Sequence, residues 1–358
     1  MKKPEIKINF LYYGTPFDIE KNFLFKLLKK KYKIIISDKP DYVFFSVYKE
    51  NNKFLLEDGT VRTSKKLEKK KETLLKKIYR KLLEKDFVKG IIWFLRDRKI
   101  LKPYAKILNV KGDFVKIFYS AESIKPDMSK CDYAFAPCPE SELKHPRYME
   151  VPTYVISMDN INLERRKQSF NEIKKEKTKF CNFIYSNHVP PRNKFFKRLS
   201  KYKRVDSPGA CMNNMPPIGS HKNPTDSRSS KNFVEEALKF KSNYKFTIAF
   251  ENEVRTNWMI DTRLVHPLLV NSIPIYFGSK FVNKHFNTKC FINANDFKNV
   301  KELIKHVIKI DNDDELYKQY LEQPIFKNKK QASLSSDDKI ADRLYEIIEY
   351  EKKRNNFI

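Results

Sequence analysis

Glycine is scarce, with 7 in 358 residues, and no GxGxxG or Walker stretch occurs. Any grip on phosphate must therefore come from side chains and helix N-termini rather than from a glycine-rich loop. Cysteine is thin as well: Cys131, Cys138, Cys181, Cys211 and Cys290 are odd in number, dispersed and without a CxxC pair. That pattern favours reduced thiols in a cytosolic compartment and offers no metal site. No apolar run approaches membrane-spanning length, and nothing near the start resembles a signal peptide. Acidic residues are in deficit, 44 Asp+Glu against 73 Lys+Arg, a formal charge of +29. Such a balance invites nucleic acid or a membrane surface as partner. The lysines, however, run along the whole chain among abundant Asn, Ile, Phe and Tyr, the mixture an AT-rich genome encodes. No zinc-finger spacing, RNP-like strand or basic zipper accompanies them, so no nucleic-acid partner is expected.

What is present is enough for two globular domains: 41% hydrophobic and 14% aromatic residues over a length that supports two cores. Lys7 to Tyr13 reads as a first strand, Ile19 to Lys31 as a helix, and Lys33 to Ser37 and Tyr42 to Tyr48 as further strands. This alternation indicates a parallel, doubly wound α/β sheet. The rhythm breaks at about 50–112, where Ser64 to Lys89 is lysine-dense with Leu67, Leu74, Leu75, Ile78 and Leu82 at helical spacing. A solvated helical excursion is one reading of this insertion; a basic amphipathic arm for an anionic membrane or acidic glycolipid is the other. Val115 to Tyr119, Asp132 to Ala136 and Tyr154 to Met158 read as the remaining strands of a first domain. Leu163 to Lys179 has little apolar periodicity and reads as an interdomain linker. The expected organisation is a domain over 1–165, a second over 166–326, and a polar tail with a terminal helix over 327–358.

The second domain is organised around Tyr244 to Ser279. An apolar run, Phe246 to Phe250, delivers Glu251 and Asn252 at its end. A polar patch with Arg255, Asn257, Asp261 and Arg263 follows, then the apolar run Leu264 to Leu269, then a second strand from Ile273 to Phe277 closing at Gly278. This is a βαβ crossover. Ligands of such sheets sit beyond the carboxyl ends of the strands, which is where Glu251 and Asn252 fall. Acceptor groups beside two guanidinium groups suit a ligand carrying hydroxyls and phosphates, although an ordinary α/β unit with a charged loop fits the spacing equally well.

The residues Phe250-Glu251-Asn252 and Ile273-Pro274-Ile275-Tyr276-Phe277-Gly278 resemble the signature of the family-ten glycosyltransferases, the α-1,3/1,4-fucosyltransferases. Ile117 to Glu122, Phe180 to Asn187 with Arg192-Asn193, and Phe291 to Phe297 match further motifs in the same order. The likeness runs from Lys7 to about Phe326, the insertion excepted. It implies the glycosyltransferase B fold, two Rossmann-like doubly wound domains facing across a cleft. It also implies transfer of fucose from GDP-fucose to a glycan hydroxyl with inversion, and no cofactor or metal. Glu122 matches the family's general base, with Ala121 and Ser123 in place of its Gly and Asn. Arg192 and Arg263 match the cations that hold the diphosphate, Arg263 replacing a lysine. Glu251 and Asn252 match donor contacts. The family's Thr-Glu-Lys triplet reads Asp261-Thr262-Arg263 here, so Asp261 is the candidate to replace the missing glutamate, and Met259 stands where the family has tyrosine. These departures leave open a different nucleotide sugar, or a non-catalytic glycan- or membrane-binding protein with a degenerate donor site. Animal members of the family carry a membrane anchor, and its lack here implies a bacterial or viral cytoplasmic form. His188, His221 and His266 lack metal-site spacing. Asp311-Asn312-Asp313-Asp314, which looks like the DxD motif of the other glycosyltransferase fold, reads as an N-capping cluster between helices.

Overall fold

The computed structural model describes residues 3–13, 18–47, 53–55, 61–63, 109–157, 163–219, 231–252, 258–334 and 336–355. The expected basic arm over 64–102 lies outside these residues. So does most of the 50–112 insertion, of which the short antiparallel pair 53–55 and 61–63 and the turn from 109 are described.

The first sheet takes β1 (Glu5–Leu11), β2 (Lys33–Ile36), β3 (Tyr42–Phe45), β6 (Val115–Tyr119), β7 (Tyr133–Ala136) and β8 (Tyr148–Glu150), with the short pair counted as β4 (Lys53–Leu55) and β5 (Val61–Thr63). The order is β2-β1-β3-β6-β7-β8 and every pair is parallel. All four β3 residues are buried, as a central strand covered on both faces requires. Helix α1 (Phe23–Lys31) covers part of the sheet. Asn22 caps it by accepting from the Phe25 N–H at 3.1 Å, and it buries Phe23, Leu24, Phe25, Leu27 and Leu28. Tyr154 to Met158, expected as a strand, is instead helix α2 (Thr153–Ser157). A short apolar run does not by itself distinguish the two states, and Pro152 just ahead of it fits the entry to a helical turn.

The expected linker is not featureless. It holds α3 (Phe170–Glu176), started by a capping box between Ser169 and Glu172 and seated by the single buried residue Ile173. One apolar anchor and a good cap suffice where periodicity is absent. The second sheet is β10-β9-β11-β12-β13, again all parallel. Its strands are β9 (Lys179–Asn182), β10 (Val205–Asp206), β11 (Tyr244–Phe250), β12 (Ile273–Phe277) and β13 (Ile292–Asn293). Its helices are α4 (Pro190–Leu199), α5 (Lys231–Ser242), α6 (Thr262–Leu269), α7 (Val282–His285), α8 (Val300–Asn312), α9 (Asp314–Glu322) and α10 (Lys329–Ser333). Phe183, Phe195, Phe246, Ile248, Ile275, Leu303 and Val307 form its core. The strand expected at Cys290 is shorter, because Thr288–Cys290 turns as a 3-10 segment. Asp313 caps α9 as expected, by accepting from the Leu316 N–H at 2.9 Å.

The chain divides into two compact units, one built from the described residues up to 63, 109–157 and 332–355, the other from 163–331. The terminal helix α11 (Asp337–Asn355) is therefore part of the first unit and not a tail of its own. Tyr32, Tyr42 and Tyr133 donate from their hydroxyls to Glu349, to the Ile348 carbonyl and to Glu351, at 2.5, 3.0 and 2.7 Å.

Candidate active site

Strand β11 runs apolar to Phe250 because it lies between β9 and β12. Its register with β12 ends at Phe250 opposite Phe277, where the Glu251 N–H donates to the Phe277 carbonyl at 2.8 Å. Glu251 and Asn252 thus stand at the carboxyl end of the sheet. Arg255 and Asn257 lie outside the described residues. Asp261 then caps α6, its carboxylate accepting from the Thr262 N–H and, at 3.0 Å, from the Thr262 hydroxyl.

Three of the expected residues form one buried cluster. Glu251 accepts the Asp261 N–H on one oxygen at 2.9 Å and Arg263 Nη1 on the other at 3.0 Å, while the same Nη1 also meets Asp261 Oδ2. Burial pushes Glu251 up to about 7 against the pull of Arg263. Burial acts on Asp261 in the same direction, but Arg263 and the Thr262 N–H outweigh it and hold the carboxyl below its ordinary range. For Arg263 burial favours the neutral form, and the two carboxylates overcome it and keep the guanidinium charged. Gly278 makes the close fit available: a Cβ there would fall 2.5 Å from both the Glu251 Cγ and the Tyr276 hydroxyl. That hydroxyl donates to the Met259 carbonyl at 3.3 Å and accepts the Ser279 N–H at 2.9 Å, tying β12 to the stretch before α6.

Arg192, in the first turn of α4, is fully buried. Its Nη1 donates to Asn252 Oδ1 at 2.8 Å and to the Phe250 carbonyl at 3.4 Å, and its Nη2 to the Asn187 carbonyl. The guanidinium lies 3.6 Å from the centre of the Tyr185 ring, and that of Arg263 lies 5.8 Å from the same ring. Both expected phosphate cations are therefore gathered at one aromatic ring. Tyr185 is fixed there by its hydroxyl, which donates to the Ile248 and Phe250 carbonyls and accepts the Phe250 N–H. The sequence reading did not single out Tyr185, although it sits inside the matched stretch Phe180 to Asn187. Arg192 differs from Arg263 in its partners, which are an amide, two carbonyls and a ring, with no carboxylate in ion-pair contact among the described residues. Burial brings its pKa down to about 10, so it stays charged near neutrality, and its buried Nε has no hydrogen-bond partner. A buried charge held only by neutral groups is costly to a fold and marks a place for an anion.

Glu122 belongs to the first unit. It is exposed just beyond β6, and its N–H donates to the Ser120 hydroxyl at 3.1 Å. Neighbouring Ala121 is pinned through its carbonyl by the Thr153 hydroxyl at 2.9 Å. It thus occupies the carboxyl end of its own sheet. Among the described residues no three His, Cys, Asp or Glu side chains converge as metal ligands. All five cysteines are buried and unpaired.

Two parallel α/β units, with cations gathered at the carboxyl ends of the second sheet, are the architecture of the glycosyltransferase B fold. A crystal structure of an alpha1,3-fucosyltransferase superposes over 97% of this chain and 91% of its own, with a TM-score of 0.62 at 20% identity. One solved with GDP gives 0.63 at 19% identity over the same shares. Residues 174–348 match the model of the glycosyltransferase family 10 (fucosyltransferase) C-terminal part, and 8–62 match that of the alpha-(1,3)-fucosyltransferase FucT N-terminal domain. The chain belongs to glycosyltransferase family 10. A protein of Acanthamoeba polyphaga mimivirus named as a fucosyltransferase is 36% identical over 181 residues, 49% of this chain and 28% of that one. The alpha-(1,3)-fucosyltransferase FucT of Helicobacter pylori is 27% identical over 225 residues, 54% of this chain and 43% of that one. The human GDP-fucose protein O-fucosyltransferase 3 is 30% identical over 158 residues, 43% and 32%. The chain thus spans less than half the length of these relatives. Five of the six candidate site residues lie in the matched C-terminal segment, and Glu122 lies in neither matched segment.

Proposed function

We propose that this chain transfers fucose from GDP-fucose to a hydroxyl of a glycan acceptor in an α-1,3-type linkage, with inversion and without a metal. The observation that carries the reading is the gathering of Arg192 and Arg263 around the Tyr185 ring beside Asn252 and Glu251. In the proposed step the acceptor oxygen attacks the anomeric carbon as the bond from that carbon to the diphosphate breaks. The hydroxyl proton passes to Glu122, and GDP departs with the electron pair. Arg192 and Arg263 neutralise the charge that develops on the leaving diphosphate. Asn252 holds the donor. Glu251 and Asp261, both bound to Arg263, fix the direction in which its guanidinium points. Activity is expected to survive EDTA.

A different nucleotide sugar is the second reading. It is favoured by Thr262 standing in the family's glutamate position and by Asp261 being occupied as helix cap and ion-pair partner. Calorimetric titration with GDP and GDP-fucose separates the readings. Binding of GDP without any preference for the fucosylated form supports the second, and absence of nucleotide binding supports a degenerate, non-catalytic site. Replacing Glu122 with Gln should lower transfer by roughly 10²–10⁴-fold, the range for a lost general base, with donor binding nearly unchanged. Retained turnover would remove Glu122 from the mechanism. A screen with both oligosaccharide and serine- or threonine-bearing peptide acceptors tests the glycan assignment, since transfer to peptide alone would overturn it.

A further inference from the structure

Strand β9 ends at Asn182, opposite Thr247, while β11 runs on to Phe250. Among the described residues no strand flanks the last part of β11 on that side. Buried backbone groups left so cost free energy unless something else bonds them. Two side chains stand in for the missing strand. The Tyr185 hydroxyl accepts the Phe250 N–H at 2.8 Å and shares its proton between the Ile248 and Phe250 carbonyls at 2.9 and 3.1 Å. The Arg192 guanidinium donates to the same Phe250 carbonyl at 3.4 Å. Tyr185 and Arg192 thus meet at the residue that immediately precedes Glu251 and Asn252.

Tyr185 is also held through its backbone. Its carbonyl accepts the Cys211 N–H at 2.8 Å, and a Cβ on Gly209 would fall 2.3 Å from that carbonyl oxygen. The Phe183 ring lies 4.5 Å from the Tyr185 ring, centre to centre. A ring fixed on these sides is a firm surface for the guanidinium of Arg192, whose central carbon is 3.6 Å from its centre, a full van der Waals contact. The hydrogen bonds of Arg192 run from its two Nη atoms and leave Nε without a partner. They fix the outer edge of the guanidinium, and the ring against its central carbon restricts the tilt that those bonds allow. We infer, on the nucleotide-sugar reading of this site, that Tyr185 is a positioning residue for the diphosphate: its hydroxyl completes the edge of β11, and its ring holds Arg192 in the orientation that meets the leaving group.

The test is titration of wild-type protein, Tyr185→Phe and Tyr185→Leu with GDP and with guanosine, the last variant also in an Arg192→Ala background, alongside thermal melts. Tyr185→Leu should weaken GDP binding by roughly three- to thirtyfold, the span of a cation–ring contact from exposed to desolvated, while guanosine binds as before. Tyr185→Phe keeps the ring and should hold GDP affinity within about twofold of wild type, yet melt lower because the Phe250 N–H loses its acceptor. In the Arg192→Ala background Tyr185→Leu should cost no further GDP affinity, since a residue that acts through another then has nothing to position. Tyr185→Met serves in place of Tyr185→Leu should that variant not fold. Unchanged GDP affinity without the ring overturns the inference. So does a loss in Tyr185→Phe as large as in Tyr185→Leu, an equal loss of GDP and guanosine, or the full loss repeated without Arg192, each the signature of a structural prop. Those outcomes leave GDP binding by the wild type intact; wild-type protein that ignores GDP overturns the nucleotide-sugar reading itself, and this inference with it.

Discussion

The two ends of the second sheet use the same side chains to opposite effect. At the amino ends of its strands lies a cavity of about 800 Å³ lined by Lys179, Lys203, Arg204 and Lys245 together with Asp206 and Asp311. Every one of these cations has its carboxylate. Lys203 and Lys245 meet Asp311 at 2.5 and 2.9 Å, and Arg204 and Lys179 meet Asp206 at 2.6 and 3.4 Å. At the carboxyl ends, among the described residues, Arg263 is balanced by acids while Arg192 is held by neutral groups. Positive residues are thus present at both ends, and a buried charge without an acidic partner among the described residues at one. The amino-end network braces the fold, whereas at the carboxyl end the buried Arg192 is the charge that the proposed diphosphate would complete.

Mutations that treat the two ends alike are the way to break this contrast. Arg192→Ala should weaken GDP binding on the order of a hundredfold, the scale for removing a buried charge from a polar interface. Lys203→Ala at the other end should leave that affinity within about twofold, because distant sites act independently. Equal losses in the two variants would end the distinction. Asp311→Asn should act on stability instead. Its side chain is 2% exposed and holds two lysines and the Tyr202 hydroxyl. Denaturant unfolding should show a loss of about 2–3 kcal/mol, less than for a fully buried pair because Lys203 is half exposed. Although burial works against it, the two lysines hold this carboxyl below its ordinary value. The stability it contributes is therefore present above the normal carboxylate pKa and fades as pH falls through the lower, folded value. Asp311→Asn should accordingly flatten the acid limb of the melting curve, and a limb as steep as that of wild type would deny Asp311 this role.

The smallest effect concerns Glu251. Its folded value is raised by burial to about 7, so the folded state binds the proton more tightly than the unfolded chain. Stability from this group is present below the ordinary carboxylate range and lost as pH rises toward 7. Melting temperatures of Glu251→Gln should vary less than those of wild type between about pH 5 and 8, by a few degrees at most. Identical slopes for the two proteins would mean that Arg263 fully compensates the burial.

The unit from Tyr244 to Ser279 was legible because its signals are local. Phe246 to Phe250 and Ile273 to Phe277 are apolar runs of strand length, and β11 and β12 fall on them. The clustering of Glu251, Asp261 and Arg263 was legible too, since they flank one crossover connection. The sequence reading missed Tyr185 as the ring that gathers two guanidiniums, because that meeting joins β9, α4 and α6 across the sheet and leaves no periodic trace. The short helix α2 was misread because Tyr154, Val155 and Ile156 suit either state and only the surrounding contacts decide.

The return of α11 to the first unit has a consequence for how the molecule is made. Among the described residues the second unit draws on 163–331, so all five strands of its sheet have been made before α11 is reached. The first sheet is begun earlier but waits for its final cover. The hydroxyls of Tyr32, Tyr42 and Tyr133 meet their acceptors only once residues 348–351 have left the ribosome. On a growing chain, then, the second unit is equipped to fold first, and the unit begun first is the last to be completed.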